Sequence, residues 1–289
     1  MHVFCKRSCS LIVLFCCAGL QPVLAAESDA LPDAPSATIR RQWYATQRPD
    51  TSGDSSQSGG STRVGADSNN GKFVARWLKR GLHDQSDIYT SPFHRSELKW
   101  AIGLPALSLG LIAIDKHVSG ALPSGHTNVS SDISNAGLFT TAGTLGVFLL
   151  DGLARHNPHA RETGVLGAES MANSGLLYIV LQLITERQRP LQGAGTGGFF
   201  QTRGLDNSFP SGHAIVTWAA ASAIAHEYPK PWVEWLAYGA AAGVSVTRFT
   251  SLQHFPSDVA VGSILGYLIG RHIFHAHCEA GLGRACSAP

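Results

Sequence analysis

Six apolar segments, at about residues 100–114, 133–150, 170–185, 213–226, 232–247 and 258–273, decide most of what this chain can fold into. Alanine, leucine and glycine dominate them, which favours helices over strands even though glycine weakens helix propensity. The reading is an all-α fold, a bundle of about six helices. Most segments fall short of the ~17–25 predominantly apolar residues that a spanning helix needs, and Asn135, Asn173, Gln182 and Glu234 interrupt them. Burial in a soluble bundle therefore competes with insertion in lipid. Charged residues are 15% and hydrophobic residues 44% of the 289 positions, a balance that suits a tightly packed helical protein at the border between the two.

The flanks read differently. Residues 1–25 resemble a secretory signal, with Lys6 and Arg7 ahead of an apolar run at Leu11–Leu20 and a small-residue cleavage site at Val23-Leu24-Ala25; an uncleaved anchor is the alternative. Ser, Gly, Asp, Asn and Pro dominate residues 26–72, read as a disordered linker. The helical domain is expected over 73–275, beginning with an amphipathic stretch that suits a surface helix or a membrane surface, and 276–289 as a tail. In that tail Cys278 and Cys286 either close a small loop in an oxidising compartment or stay as thiols. A cleaved signal followed by three spans would leave residues 182–258 in the cytoplasm, so the expectation is a periplasmic or exported bundle, with association with a membrane left open. The net charge of +2 and the lack of a basic run with interleaved aromatics argue against nucleic acid as a partner.

Chemistry concentrates between Gln182 and Asp258. Arg187-Gln188-Arg189-Pro190, Pro210-Ser211-Gly212-His213 and Thr247-Arg248 with His254 and Asp258 all sit at ends of apolar segments. Guanidinium forks match phosphate oxygens. One histidine can attack phosphorus, a second can protonate the leaving oxygen, and a carboxylate can fix the attacker's tautomer. Pro190 disfavours helical backbone at Arg189, so the segment from Ser170 is expected to stop there and present Arg187 and Arg189. Ser211 is a good N-cap, Gly212 lets an anion approach the first-turn N–H groups, and Asp258 falls in the first turn of the last helix.

These clusters resemble the type 2 phosphatidic acid phosphatases, which share a helical core with bacterial acid phosphatases and vanadium haloperoxidases. Pro210-Ser211-Gly212-His213 matches that family's second motif completely, and Arg248-x5-His254-x3-Asp258 its third, with Thr247 in place of serine. The first motif matches only in Arg189-Pro190, because Gln182 stands where the family has lysine. The resemblance implies a metal-independent phosphatase acting on a phosphorylated lipid or small phosphoester, with the active site at one end of the bundle and no cofactor. It implies catalytic roles for His254, His213 and Asp258, and phosphate binding by Arg189, Arg248, Ser211 and Gly212. Gln182 and Arg187 join that group if the Arg187 guanidinium turns into the place of the missing lysine. Two alternatives share the motifs: a haloperoxidase with vanadate as cofactor, and a non-catalytic phosphate or headgroup binder.

Three decoys are set aside. Pro123-Ser124-Gly125-His126 repeats the second motif but leads into a polar stretch, so it is assigned to a connecting loop. The Gly193–Gly198 segment lacks Gly-Lys-Ser/Thr and is read as a rim over the site, not a nucleotide loop. His156 and His159 beside Arg155 and Arg161 lack zinc-ligand spacing and are read as a solvated loop; no metal is expected.

Overall fold

The computed structural model describes residues 67–93, 98–123, 125, 127–279, 281–282 and 286, and the helical bundle belongs to the unit Asn70–Pro289. Among the described residues there are seven α-helices, one 3-10 turn and no strand. The helices are α1 (Asp67–Thr90), α2 (Leu98–Gly120), α3 (Thr127–Ala154), α4 (Pro158–Thr185), α5 (Gly212–Glu227), α6 (Pro231–Thr250) and α7 (Pro256–His277), with the turn at Ser91–Phe93. Each of the six apolar segments lies inside one of α2 to α7. The seventh helix is the amphipathic stretch, and it starts at Asp67, inside what the composition suggests is linker. The expected signal at 1–25 lies outside the described residues.

Small residues set the closest helix pair. A Cβ on Gly266 would lie 2.2 Å from the carbonyl oxygen of Ile215, and one on Gly270 2.2 Å from that of Ala219. Glycine at every fourth position of α7 thus lets its backbone lie directly on α5, as small-xxx-small stripes do. Leu166, Leu177, Ile215, Ile269, Ile273 and Phe274 close the core between α4, α5 and α7. The pairing has a local consequence for the site, because the N–H of Ser211 donates to the carbonyl of Asp258 at 3.0 Å. Two motifs 47 residues apart in sequence are thereby joined by a main-chain bond.

The helix α1 is clasped to the bundle by polar pairs. Arg80 reaches Glu169 at 2.8 Å, Gln85 donates to Asn173 at 2.6 Å, and Asp84 meets His277 at 2.6 Å. Cys278 and Cys286 form a disulfide.

Four helices, α2, α3, α4 and α7, are long and apolar enough to cross a membrane. The expectation of segments too short to span is corrected here, for a physical reason. Apolar runs counted between polar residues underestimate the helices, because those polar side chains turn inward: Asn135 meets His213, Asn173 meets Gln85, and Gln182 meets Asn207. Interior-facing polar groups are the pattern of helices in lipid. The outward faces are apolar, with Leu109 69%, Phe139 61% and Val147 66% exposed. Each such side chain left in water forfeits about 1.5–3 kcal/mol of transfer free energy, and an apolar surface of this extent marks a membrane contact.

Candidate active site

One end of the bundle gathers the C-terminal ends of α2, α4 and α6 and the N-terminal ends of α5 and α7. The helix α4 ends at Thr185, four residues earlier than Pro190 suggests, and Glu186 caps it in a left-handed conformation with its N–H on the carbonyl of Gln182. Arg187 and Arg189 therefore stand in the connection between α4 and α5. Asp258 lies in the first turn of α7, as its sequence position implies.

Arg189, Arg248, Ser211, His213 and His254 converge. Arg248 is buried and places Nη2 3.4 Å from Nε2 of His254 and Nη1 3.2 Å from Oγ of Ser134. Arg189 bonds Oε1 of Gln253 and pairs with the exposed Asp206 at 3.0 Å. Its buried Nε has no hydrogen-bond partner among the described residues. Ser211 is the N-cap of α5, yet its side chain makes no capping bond, and its fully buried hydroxyl is likewise unpartnered. An unsatisfied buried donor costs about 1–3 kcal/mol, so such groups in a folded protein call for a ligand. The first intrahelical bond of α5 is Ile215 N–H to the Ser211 carbonyl, which leaves the N–H groups of Gly212, His213 and Ala214 at the helix mouth.

The two histidines differ in their partners. His254 is buried, and Nδ1 lies 2.6 Å from the carbonyl oxygen of Ser208. A carbonyl only accepts, so Nδ1 carries the proton and Nε2 presents its lone pair beside Arg248. Burial first, then Arg248 and Arg189, hold His254 well below the usual histidine range. The same causes in the same order push His213 down to about 3, and its Nε2 meets Oδ1 of Asn135 at 2.8 Å.

Several expected roles are corrected. Asp258 does not bond His254; its carboxylate accepts from Ser208 Oγ, from the N–H of Phe255 at 2.8 Å, and from Arg187. It closes the first turn of α7 and holds Ser208, so its effect on His254 is transmitted through that serine. Arg187 is taken up by protein acceptors. It is fully buried, donates to Asp115 at 2.7 Å, to Ser257 at 2.7 Å, to the Gly197 carbonyl at 3.1 Å and to Asp258, and stacks over Phe199 and Phe255. A buried guanidinium is held where carboxylates offset its desolvation, and here two do so.

Gln182 is also fully buried. Its amide donates to the carbonyls of Asn207 at 3.1 Å and Pro210 at 3.3 Å, and accepts from the Asn207 N–H at 3.0 Å. It clasps the segment that leads into Ser211. Gly212 is required by packing, since a Cβ there would lie 2.8 Å from Cε2 of Tyr178. Thr247 bonds carbonyls of its own helix. Gly197, in the segment read as a rim, is anchored by Arg187. His159 is not in a solvated loop: it stands in the first turn of α4, 3.0 Å from Glu227. Of the repeated motif, Pro123 and Gly125 lie between α2 and α3, while Ser124 and His126 lie outside the described residues.

Sequence reasoning missed Asp115, Ser134, Asn135, Ser208, Gln253 and Ser257. The available signal was polar residues within apolar helices, such as Asn135 in α3, and it was read as interruption instead of as an inward face.

A family profile described as PAP2 superfamily matches residues 164–281, and this stretch is a PAP2 superfamily domain. Among relatives, a lipid A 1-phosphatase of Porphyromonas gingivalis is 35% identical over 66 residues, 22% of this chain and 15% of that protein. The bacitracin transport permease protein BcrC of Bacillus licheniformis is 39% identical over 70 residues, 24% of this chain and 34% of that protein. The matched stretches thus cover well under half of either relative. No solved structure matches the chain.

Proposed function

We propose that the protein is a phosphatase that hydrolyses a phosphomonoester or diphosphate, lipid-linked, through a phosphohistidine. The observation that carries this is the set of buried donors without partners among the described residues, Ser211 Oγ and Arg189 Nε, together with two imidazoles kept neutral by burial and by neighbouring arginines. In this mechanism the bound phosphate dianion offsets the arginine field so that His213 takes up a second proton. Nε2 of His254 then attacks phosphorus, the bond to the leaving oxygen breaks, and the His213 imidazolium gives that oxygen its proton. Water then displaces the imidazole with His213 as base, releasing phosphate. Arg189, Arg248, Ser211 and the first-turn amides of α5 meet the charge that spreads over the equatorial oxygens, which is the main task in phosphoryl transfer. The cations here are guanidiniums, so no metal or other cofactor has an assigned part.

Two observations support a lipid-linked substrate. The site lies at the end of helices with apolar outer faces. One relative is named a lipid A 1-phosphatase. Charge bears on location. Lys99, Arg155, Arg161, Lys230 and Arg271 lie at the end away from the site, whereas Lys116 and Arg203 are the additional basic residues at the site end. Positive charge marks the cytoplasmic side and favours an outward site, whereas the Cys278–Cys286 disulfide just past the far end of α7 favours an oxidising compartment there, so labelling from outside decides the side.

Phosphate release from phosphatidate, a polyprenyl diphosphate, lipid A and p-nitrophenyl phosphate by purified protein tests the reading. Release from at least one lipid substrate, with an acid-labile phosphoenzyme that His254→Ala removes, is expected. No release from any of them, or full activity in His254→Ala, overturns it.

A further inference from the structure

Asn135 lies in α3, outside residues 164–281, and yet its Oδ1 is 2.8 Å from Nε2 of His213. The groups facing this imidazole are Arg248 from α6, Arg189 from the α4–α5 connection, His254 from the α6–α7 connection and Asn135 from α3. Of these only Asn135 offers a carbonyl acceptor. An amide oxygen accepts and never donates, so the contact fixes a hydrogen on Nε2. The opposite amide orientation would aim N–H at N–H as soon as the ring became an imidazolium, and so could not persist through a cycle in which His213 carries a second proton. With Nε2 engaged, Nδ1 is the nitrogen left to gain and lose that proton, and it makes no hydrogen bond among the described residues.

We propose that Asn135 is a positioning residue that holds His213 as the Nε2–H tautomer, so that Nδ1 delivers the proton to the leaving oxygen. This rests on the phosphatase reading above. The protons and bonds balance. As the bond from His254 Nε2 to phosphorus forms and the ester P–O bond breaks, the leaving oxygen takes the Nδ1 proton, and His213 becomes neutral while Nε2–H stays on Asn135. In the second half Nδ1 accepts a proton from water, the water oxygen bonds to phosphorus, and the N–P bond breaks. The imidazolium so formed is ready for the next ester.

A lost general acid weighs on poor leaving groups and spares good ones. General acid–base catalysis contributes about 10²–10⁴-fold, so Asn135→Leu should lower kcat/KM, which reads only the step that forms the phosphohistidine, by about tenfold or more on an alkyl phosphomonoester and by less than about threefold on p-nitrophenyl phosphate. Equal losses on both substrates, or none, overturn the proposal. Asn135→Asp keeps the shape and acceptor, so it serves if the leucine variant fails to accumulate. Its added negative charge favours the imidazolium and should move the alkaline limb of kcat to higher pH; an unmoved limb overturns the proposal. Nitrogen-15 NMR of histidine-labelled full-length protein in detergent, with His213→Gln for assignment, reads the tautomer without turnover. An Nε2–H signal lost in Asn135→Leu is expected, and an Nδ1–H resting tautomer overturns the proposal. If no substrate is hydrolysed at all the phosphatase reading fails and takes the proton-delivery role with it, whereas the tautomer signal still reports whether Asn135 holds the ring.

Discussion

Nδ1 of His254 lies 2.6 Å from the carbonyl oxygen of Ser208, and the hydroxyl of that serine donates to Asp258. The carboxylate therefore acts on the histidine at one remove. Ser208→Ala leaves the carbonyl but releases the residue that carries it, and a displacement of about 1 Å in a reacting group can cost up to ~10²-fold. The expected outcome is a fall in kcat of about tenfold or more on p-nitrophenyl phosphate with KM little changed. A variant that changes KM alone would assign the serine to substrate binding.

Both histidines are held below their ordinary range by burial and by Arg248 and Arg189. A bound dianion cancels part of that positive field and raises both groups, so the complex holds more protons than the free protein. Affinity for a dianion should then strengthen as pH falls toward about 3, where free His213 itself titrates, and weaken as pH rises. Sulfate keeps its own charge over this window and serves as the probe. Calorimetry in buffers of different ionisation enthalpy should show proton uptake on binding, and His213→Gln should reduce it. Proton release would contradict the assignment.

Arg187 is expected to matter for folding before it matters for turnover. It neutralises Asp115 and Asp258 at full burial, and removing one member of such a group costs about 3–5 kcal/mol. Arg187→Ala should accumulate poorly or unfold at markedly lower temperature in detergent, whereas Arg155→Ala, which removes an exposed pair with Asp151, should change little. Normal stability with a selective rise in KM would return Arg187 to the phosphate.

Orientation is open to a direct check. Single cysteines replacing Lys230 and Arg203 lie at opposite ends of the bundle, and a membrane-impermeant thiol reagent applied from outside should label the second and spare the first. In that orientation the chain enters α2 from the cytoplasmic side, which a cleaved export signal over 1–25 followed directly by α2 does not provide. Sequencing the mature N-terminus separates the two. Labelling of position 230 from outside would reverse the topology.

The helices were legible because the alanine- and leucine-rich apolar segments favour helices over strands, and the convergence of Arg189, Ser211, His213, Arg248 and His254 was legible because fixed spacings place them at helix ends. What escaped is what spacing cannot encode. Asp115 lies 72 residues before Arg187 and Asn135 78 before His213, so only the packing of α2 and α3 brings them in. Arg187 and Arg189 look equivalent in the sequence, but their side chains leave the connection in different directions, one into a pair of carboxylates and one toward the site. Membrane suitability was misjudged for a related reason: inward and outward polar residues look alike until the faces of a helix are known.

Gln182 provides the sharpest test of that lesson. Sequence comparison makes it a missing cation, so Gln182→Lys would be expected to raise the rate. Its geometry leads to the opposite expectation. The side chain is fully buried and uses both ends of its amide on the segment before Ser211, donating to Asn207 and Pro210 and accepting from Asn207. Lysine could replace the donor but not the acceptor, which would orphan the Asn207 N–H at about 1–3 kcal/mol, and it would add a charge to a buried position. A loss of that size lowers the melting temperature of a unit this large by roughly 2–4 °C per kcal/mol. Gln182→Lys should therefore be less stable and no faster, and Gln182→Glu, which loses the donor, should also be destabilised. A lysine variant that melts like the wild type and turns over faster would mean that its ammonium reaches the phosphate and that the clasp on Asn207 and Pro210 is dispensable.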